Sequence, residues 1–294
     1  MTGSPLASAS PDANSPLTEE SLLRGVQALI DRDQDLAQIS ARLGPPPLWP
    51  REPGFATLIQ IILEQQVSLA SARAAFQRLL AVANPLTPVT FLHLDDDALK
   101  AAGFSRQKTR YGRLLAQAVL DGALDIDGLA ELDDAAVHAQ LTAIKGIGPW
   151  TANIYLLMAL RRPDVWPSAD LALMVAVQRV KGLAARPDVQ EMEALGQVWR
   201  PWRAVAARLL WHHYLNGDAP SDAPRRTAPC TSSLPVSIRR TPPARSCQAV
   251  LIATTKRRRG LRPSWPHWTR PGWAARSRPQ IMAWRRFWRS TTRR

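Results

Sequence analysis

The chain has 294 residues, 46% hydrophobic and 21% charged, enough apolar material for a sizeable core in one or two domains. Its two cysteines, Cys230 and Cys247, are too few for a disulfide framework or a four-cysteine metal cluster, and they point to a reducing compartment. The net charge of +14 is lopsided: from Ala219 onward, 17 arginines and one lysine face the single acid Asp222, a balance of +17 that leaves −3 for residues 1–218. The overall charge is therefore no argument that the patterned part of the chain binds nucleic acid.

Residues 1–17, "MTGSPLASASPDANSPL", have no periodicity and lack the basic start and apolar run of a secretory signal, so they read as a disordered leader. No apolar run approaches the roughly 20 residues needed to cross a bilayer, and the expectation is a cytoplasmic protein without a membrane partner. Thr18 is placed to cap a first helix, with Glu19 and Glu20 in its first turn and Leu22, Leu23, Val26, Leu29 and Ile30 at helical spacing. "GPPPLWPREPGF" follows as a rigid proline connector. The pattern then predicts helix from Thr57 to Ala83 in one or two pieces, and two more helices in "SRQKTRYGRLLAQAVLDG" and "DDAAVHAQLTAI". "RPWRAVAARLLWHHYLNG" gives a last helix with Asn216-Gly217 as its stop. No segment shows sustained strand alternation, so the fold class is all-α.

From residue 219 to 294 there are ten prolines and five tryptophans among the arginines, with no period and few aliphatic residues, so this stretch is expected not to fold. A frame-shifted product of a GC-rich gene has this character. The alternative is an Arg/Trp tail that holds phosphates and stacks on bases or sits at a membrane surface. The expected organisation is a leader over 1–17, a folded domain over 18–218 and this tail.

Within the folded part, "LTAIKGIGPWTAN" at 141–153 interrupts helix with two glycines and a proline. Ala136, Leu141 and Ile144 belong to one helix and its end. Lys145 to Gly148 form a tight turn, and Pro149 suits the first position of a second helix, giving a helix-hairpin-helix over 136–160. Glycine lets the backbone adopt conformations that a Cβ obstructs and lets it approach another molecule closely. Free N–H groups and the positive end of the second helix dipole then make an anion site, for which DNA phosphate is the natural ligand. Such a site needs no excess of Lys or Arg. Twenty-two residues after Gly148 comes Asp170 in "VWPSADLALMVAVQRV", a position that suits a helix cap, with Leu171, Met174, Val175, Val177 and Val180 as the apolar side of the helix that follows.

The order "GPPPLW", "ILEQQVS", "AAGFSRQKTRYGRLLAQAV", "IKGIGPWTAN", "DVWPSAD", "VWRPWRAVAARLLWHHYL" resembles the helix-hairpin-helix DNA glycosylases, and within them the 3-methyladenine DNA glycosylase II branch. The resemblance implies a two-lobed helical bundle with the active-site cleft between lobes, in a compact form without the N-terminal β domain of the bacterial type member. It implies a monofunctional glycosylase that flips alkylated purines out of duplex DNA and hydrolyses their glycosidic bond, acting as a monomer in base excision repair. Asp170 takes the place of the catalytic carboxylate. Trp150, Tyr155 and Trp211 take the place of pocket aromatics, and Gln65, Gln66, Lys145, Gly146, Ile147, Gly148 and Thr151 that of DNA contacts, with Gln66 as the wedge where well-known bacterial members carry Leu. A monovalent cation is implied at the main-chain carbonyls of Thr142, Ile144 and Ile147, with no other cofactor. Where lyase-competent relatives carry a Schiff-base lysine this chain has Trp150, and the iron-sulfur loop of the endonuclease III branch is missing.

The chemistry fits on its own terms: breaking an N-glycosidic bond builds positive charge on the sugar, which a fixed carboxylate stabilises. A helix N-terminus is expected to help keep that carboxylate ionised. A cationic alkylated purine is also a good partner for aromatic walls. The competing readings are a non-catalytic helix-hairpin-helix module that only grips DNA, which has no use for Asp170, and a glycosylase for a different base lesion. Trp202 is expected to be a core residue. His93, His138, His212 and His213 show no metal spacing.

Overall fold

A computed structural model of the chain describes residues 11, 12 and 14–216. The expectations for most of the leader, for the 219–294 stretch and for Cys230 and Cys247 lie outside the described residues. Among the described residues there are twelve α-helices and two 3-10 turns, and no strand.

The helices are α1 (Glu19–Ile30), α2 (Gln34–Leu43), α3 (Phe55–Glu64), α4 (Leu69–Val82), α5 (Pro88–His93), α6 (Asp96–Ala102), α7 (Arg106–Leu120), α8 (Asp134–Ala143), α9 (Pro149–Met158), α10 (Leu171–Val180), α11 (Val189–Gly196) and α12 (Arg203–Asn216). Capping residues begin most of them. Thr18 accepts from the Ser21 amide, and Ser21 in turn bonds the Thr18 backbone, a reciprocal pair that fixes the start of α1. Asp33, Ser68, Thr87, Asp95, Ser105, Asp133 and Asp188 each accept from a first-turn main-chain N–H of α2, α4, α5, α6, α7, α8 and α11, and at Thr87 and Asp188 the bond is again reciprocal.

The predicted helix from Thr57 to Ala83 is two helices, starting earlier at Phe55 and broken at 65–68. On α1 the predicted stripe holds except at Leu23, which is 52% exposed, while Gly25 is buried against Trp202 and Val205. Leu171 of α10 likewise points outward, and Ala172, Leu173 and Ala176 join Met174 and Val177 inside. Helices α5, α6 and α11, of six, seven and eight residues, carry too few residues for a clear period, and their capping residues are their best signal in the sequence.

The close helix pairings fall into two sets. In one, α12 packs on α10, α2 and α1; in the other, α3 packs on α4, α7 and α9, with α5 and α8 against α7 and α9 respectively. Helix α3, "FATLIQIILE", is apolar almost all round and buries eight of its ten residues, so it is the centre of the second set. In the first set, Lys181 at the end of α10 bonds Asp33 and Asp35 at the start of α2, and Trp199 Nε1 donates to the same Asp33 at 2.7 Å. Arg208 of α12, fully buried, donates to the carbonyls of Leu48, Leu157 and Ala204 and so pins the connector and α9 to α12. Burial without a carboxylate partner pulls its guanidinium down to about 9. Trp202 is core, as expected.

Candidate active site and nucleic-acid interface

Asp170 is the N-cap of α10 and is only 3% exposed. The sequence "WPSAD" brings it there: Ser168 and Asp170 turn back to bond the carbonyls of Trp166 and Pro167, and Met174 closes the first helical turn on the Asp170 carbonyl. Its Oδ1 accepts from the Leu173 amide at 2.8 Å and from Trp211 Nε1 at 3.1 Å, and its Oδ2 accepts from Trp150 Nε1 at 3.0 Å. Three helices thus converge on one carboxylate, α10 by its own cap, α9 through Trp150 and α12 through Trp211.

Burial pushes the Asp170 carboxyl above the ordinary aspartate value, and the donors of Trp150, Leu173, Trp211 and Ala172 pull against it. The helix end does favour the ionised form, through the Leu173 and Ala172 amides, but desolvation is the largest effect and the net direction is upward. Leu171, the next residue, is 37% exposed.

The hairpin joins α8 to α9. Its two glycines differ. Gly146 has φ +102, and a Cβ there would lie 2.1 Å from Cγ of Tyr111, so both conformation and space demand glycine. Gly148 has φ −96, which any residue adopts, and nothing lies within 4 Å of the place a Cβ would take. Gly148 caps α9 without a side-chain hydrogen bond and Pro149 is the first helical residue, so the start of α9 offers main-chain N–H groups to an outside acceptor. Lys145 is exposed beside it, whereas the side chain of Ile147 is buried and leaves only its main chain for contact.

Other expected site residues sit differently. Gln65 does not face outward: its Nε2 donates to the Gly146 carbonyl at 2.9 Å and to Thr151 Oγ1 at 3.0 Å. Thr151, 1% exposed, is spent on that same contact. Tyr155 is fully buried and its hydroxyl accepts from the Gly54 amide at 3.0 Å, on the side of α9 that packs on the start of α3; α9 turns it there while Trp150, five residues earlier, meets Asp170. Gly54 also borders a cavity of about 430 Å³ with Phe55, Pro88, Val119, Asp125 and Asp127, which none of the residues bonded to Asp170 lines. Gln66 is exposed, at the break between α3 and α4, with φ +57. Thr142 lies in the last turn of α8, and the Ile144 carbonyl accepts the Ile147 amide within the turn.

Sequence reasoning missed Tyr111, Lys108 and the Arg51–Glu64 pair. Lys108 Nζ donates to the Leu63 carbonyl at the end of α3 at 2.8 Å, and burial holds its ammonium below the usual lysine value against the pull of Glu64. Arg51 grips Glu64 through two bonds of 3.0 Å. Lys108 and the Arg51–Glu64 pair hold the end of α3 before Gln66, and Tyr111 packs against Gly146 in the hairpin. Glu64 in the apolar α3 was the visible signal, since a buried acid requires a partner.

Residues 59–201 match the HhH-GPD superfamily of base excision DNA repair proteins. DNA-3-methyladenine glycosylase 1 of Schizosaccharomyces pombe is 30% identical over 165 residues, covering 55% of this chain and 72% of that protein. The solved structure of the 3-methyladenine DNA glycosylase of that yeast with abasic DNA superposes with a TM-score of 0.62 at 26% identity, covering 66% of this chain and 97% of that one. A DNA-3-methyladenine glycosidase structure from Bacillus halodurans matches with a TM-score of 0.55 at 30% identity, covering 64% and 88%. Across three curated relatives the chain spans 58%, 72% and 92% of the relative's own length.

Proposed function

Because the chain belongs to the HhH-GPD superfamily of base excision DNA repair proteins, we propose that it is a monofunctional glycosylase for alkylated purines of the 3-methyladenine type in duplex DNA. The observation that carries this reading is the buried Asp170 carboxylate held by two indole N–H groups at the start of α10. A module that only grips DNA has no use for such a group.

In the proposed reaction the alkylated base leaves the stack, at a cost of a few kcal/mol. The bond from C1′ to the base nitrogen breaks with its electron pair going to the base, whose ring charge is thereby neutralised. Asp170 faces the positive charge left on the sugar, a water oxygen bonds C1′, and the water's proton passes to Asp170 and on to solvent. The products are the free base and an abasic site. Trp150 and Trp211 hold the carboxylate by their indole N–H groups. Trp211 is only 1% exposed and so supports the carboxylate rather than lining an open pocket as the sequence suggested, whereas the partly exposed Trp150 is proposed to offer its face to a cationic base. Trp150 stands two residues after Gly148, where a lyase needs its lysine, so strand cleavage is not part of the proposal.

The hairpin grips the DNA backbone through main-chain groups at Gly148 and the start of α9, with Lys145 beside them. A monovalent cation is proposed at the carbonyls of Thr142 and Ile144, at the end of α8 where the negative end of its dipole lies, together with that of Ile147 in the turn that follows. Such an ion would add positive charge next to the phosphate. Gln66, exposed at the break between helices, is proposed to fill the gap left by the base. The protein is proposed to act as a monomer in the cytoplasm.

The test is release of free base from methylated duplex DNA by the full chain and by Asp170→Asn. Release that is lost with the substitution while DNA binding persists supports the reading. A folded, DNA-binding wild-type chain that releases no base overturns it in favour of the binding module.

A further inference from the structure

The break between α3 and α4 and the hairpin turn are distant in sequence, and one side chain joins them. Both amide N–H groups of Gln65 are used, one on the Gly146 carbonyl and one on Thr151 Oγ1. Gly146 is held from its other side by Tyr111, whose ring occupies the space a Cβ would need and whose hydroxyl receives Gln107 Nε2 at 2.6 Å. The residue after Gln65 is Gln66, exposed with φ +57, and the next is Val67, 39% exposed. A non-glycine residue at positive φ persists where the surroundings fix it. Here Lys108 holds the Leu63 carbonyl before the tip, Gln65 ties its near end, and Ser68 caps α4 at its far end.

We infer that Gln65, working against Gly146 braced by Tyr111, is a positioning residue that makes the hairpin and the 66–67 tip one rigid unit on duplex DNA. Seating the hairpin on the backbone then also aims Gln66 into the stack. The inference rests on the glycosylase reading above and assigns Gln65 a role distinct from direct DNA contact, since its donors are already taken. Without the strut the hairpin keeps Gly148 and the start of α9, so the grip on undamaged DNA remains. What is lost is the fixed offset between grip and tip, and with it the stability of the flipped state.

The experiment uses the full chain on methylated duplex carrying 2-aminopurine beside the methylated base, a probe whose fluorescence rises when stacking is lost. Gln65→Ala and Gln65→Met both remove the donors, and Met keeps the length of the side chain. Both variants are expected to stay folded with a modestly lower melting temperature, since two part-buried hydrogen bonds are lost, and to keep the affinity for undamaged duplex, while the fluorescence rise and single-turnover release fall about tenfold or more. The double variant Gln65→Ala with Gln66→Ala is expected to be little worse than either single one, because the two act through one event. Unchanged release in a folded Gln65 variant, affinity lost in step with release, or additive effects of the two substitutions would each overturn the inference; if one variant fails to fold, the other carries the test. A wild-type chain that neither unstacks the probe nor releases base fails the glycosylase reading instead.

Discussion

Two helix starts in this molecule do opposite things. Helix α10 begins on Asp170, whose carboxylate turns inward to its own helix amide and to two indoles, and is buried. Helix α9 begins on Gly148, which has no side chain to cap it and nothing near the place a Cβ would occupy. The same orphan N–H groups exist at both ends. At α10 an internal anion satisfies them, so the charge is fixed where a cationic sugar can meet it. At α9 they stay open to an external anion. Whether a helix start is a catalytic group or a binding surface is decided here by one side chain.

The largest effect is expected at the capped start. Asp170→Asn keeps an acceptor for Leu173 and Trp211 but removes the charge, so base release should fall at least about a thousandfold while the helix remains capped. Asp170→Ala should lose the same activity and in addition about 1 kcal/mol of stability, the usual worth of a cap. Equal melting temperatures for Asn and Ala would show that the carboxylate does not cap α10. Residual release from Asp170→Asn close to wild type would remove the charge from the mechanism.

The next effect separates the two hairpin glycines. Gly146→Ala forces a side chain to φ +102 against the Tyr111 ring and should destabilise the fold by about 2–4 kcal/mol. Gly148→Ala meets nothing within 4 Å and should cost about 1 kcal/mol or less, yet weaken DNA binding about tenfold by standing where a backbone must approach. Thermal denaturation and binding of undamaged duplex measure the two quantities. If Gly146→Ala is the one that keeps stability and loses affinity, the assignment of the two glycines is reversed.

Both starts were legible in the sequence, and the contacts between distant segments were not. Pro149 after a glycine, and Asp170 ahead of an apolar run, are local signals because caps and first-turn residues act within four positions. The helix-hairpin-helix, the all-α class and the carboxylate follow from such signals together with the order of motifs. What the sequence did not disclose is contact across long separations. Gln65 looks like a polar helix end, and its role depends on Gly146, 81 residues on. Tyr155 looks like a neighbour of Trp150, but its helix carries it toward Gly54. Tyr111 gave no signal, since its partner is the missing Cβ of a glycine.

The smallest effect tests how the buried carboxylate stays usable. Burial raises the Asp170 carboxyl above the ordinary aspartate value, and the ionised form is the one that stabilises the sugar cation. Release should therefore fall, as pH drops, at a higher pH than an ordinary aspartate would give. Trp150→Phe and Trp211→Phe each remove a donor that favours the ionised form, so each should move this acid limb further up, with the larger movement for Trp150, whose bond opposes burial more strongly than that of Trp211. Stability runs the other way. The native carboxyl holds its proton to higher pH than the unfolded one, so the contribution of Asp170 to stability is greatest below the unfolded value and declines as pH rises through the raised native value. Asp170→Asn lacks that decline and should gain on wild type in melting temperature from acid to neutral pH. An acid limb that both Trp variants leave in place would mean that the indoles serve the base alone and not the carboxylate.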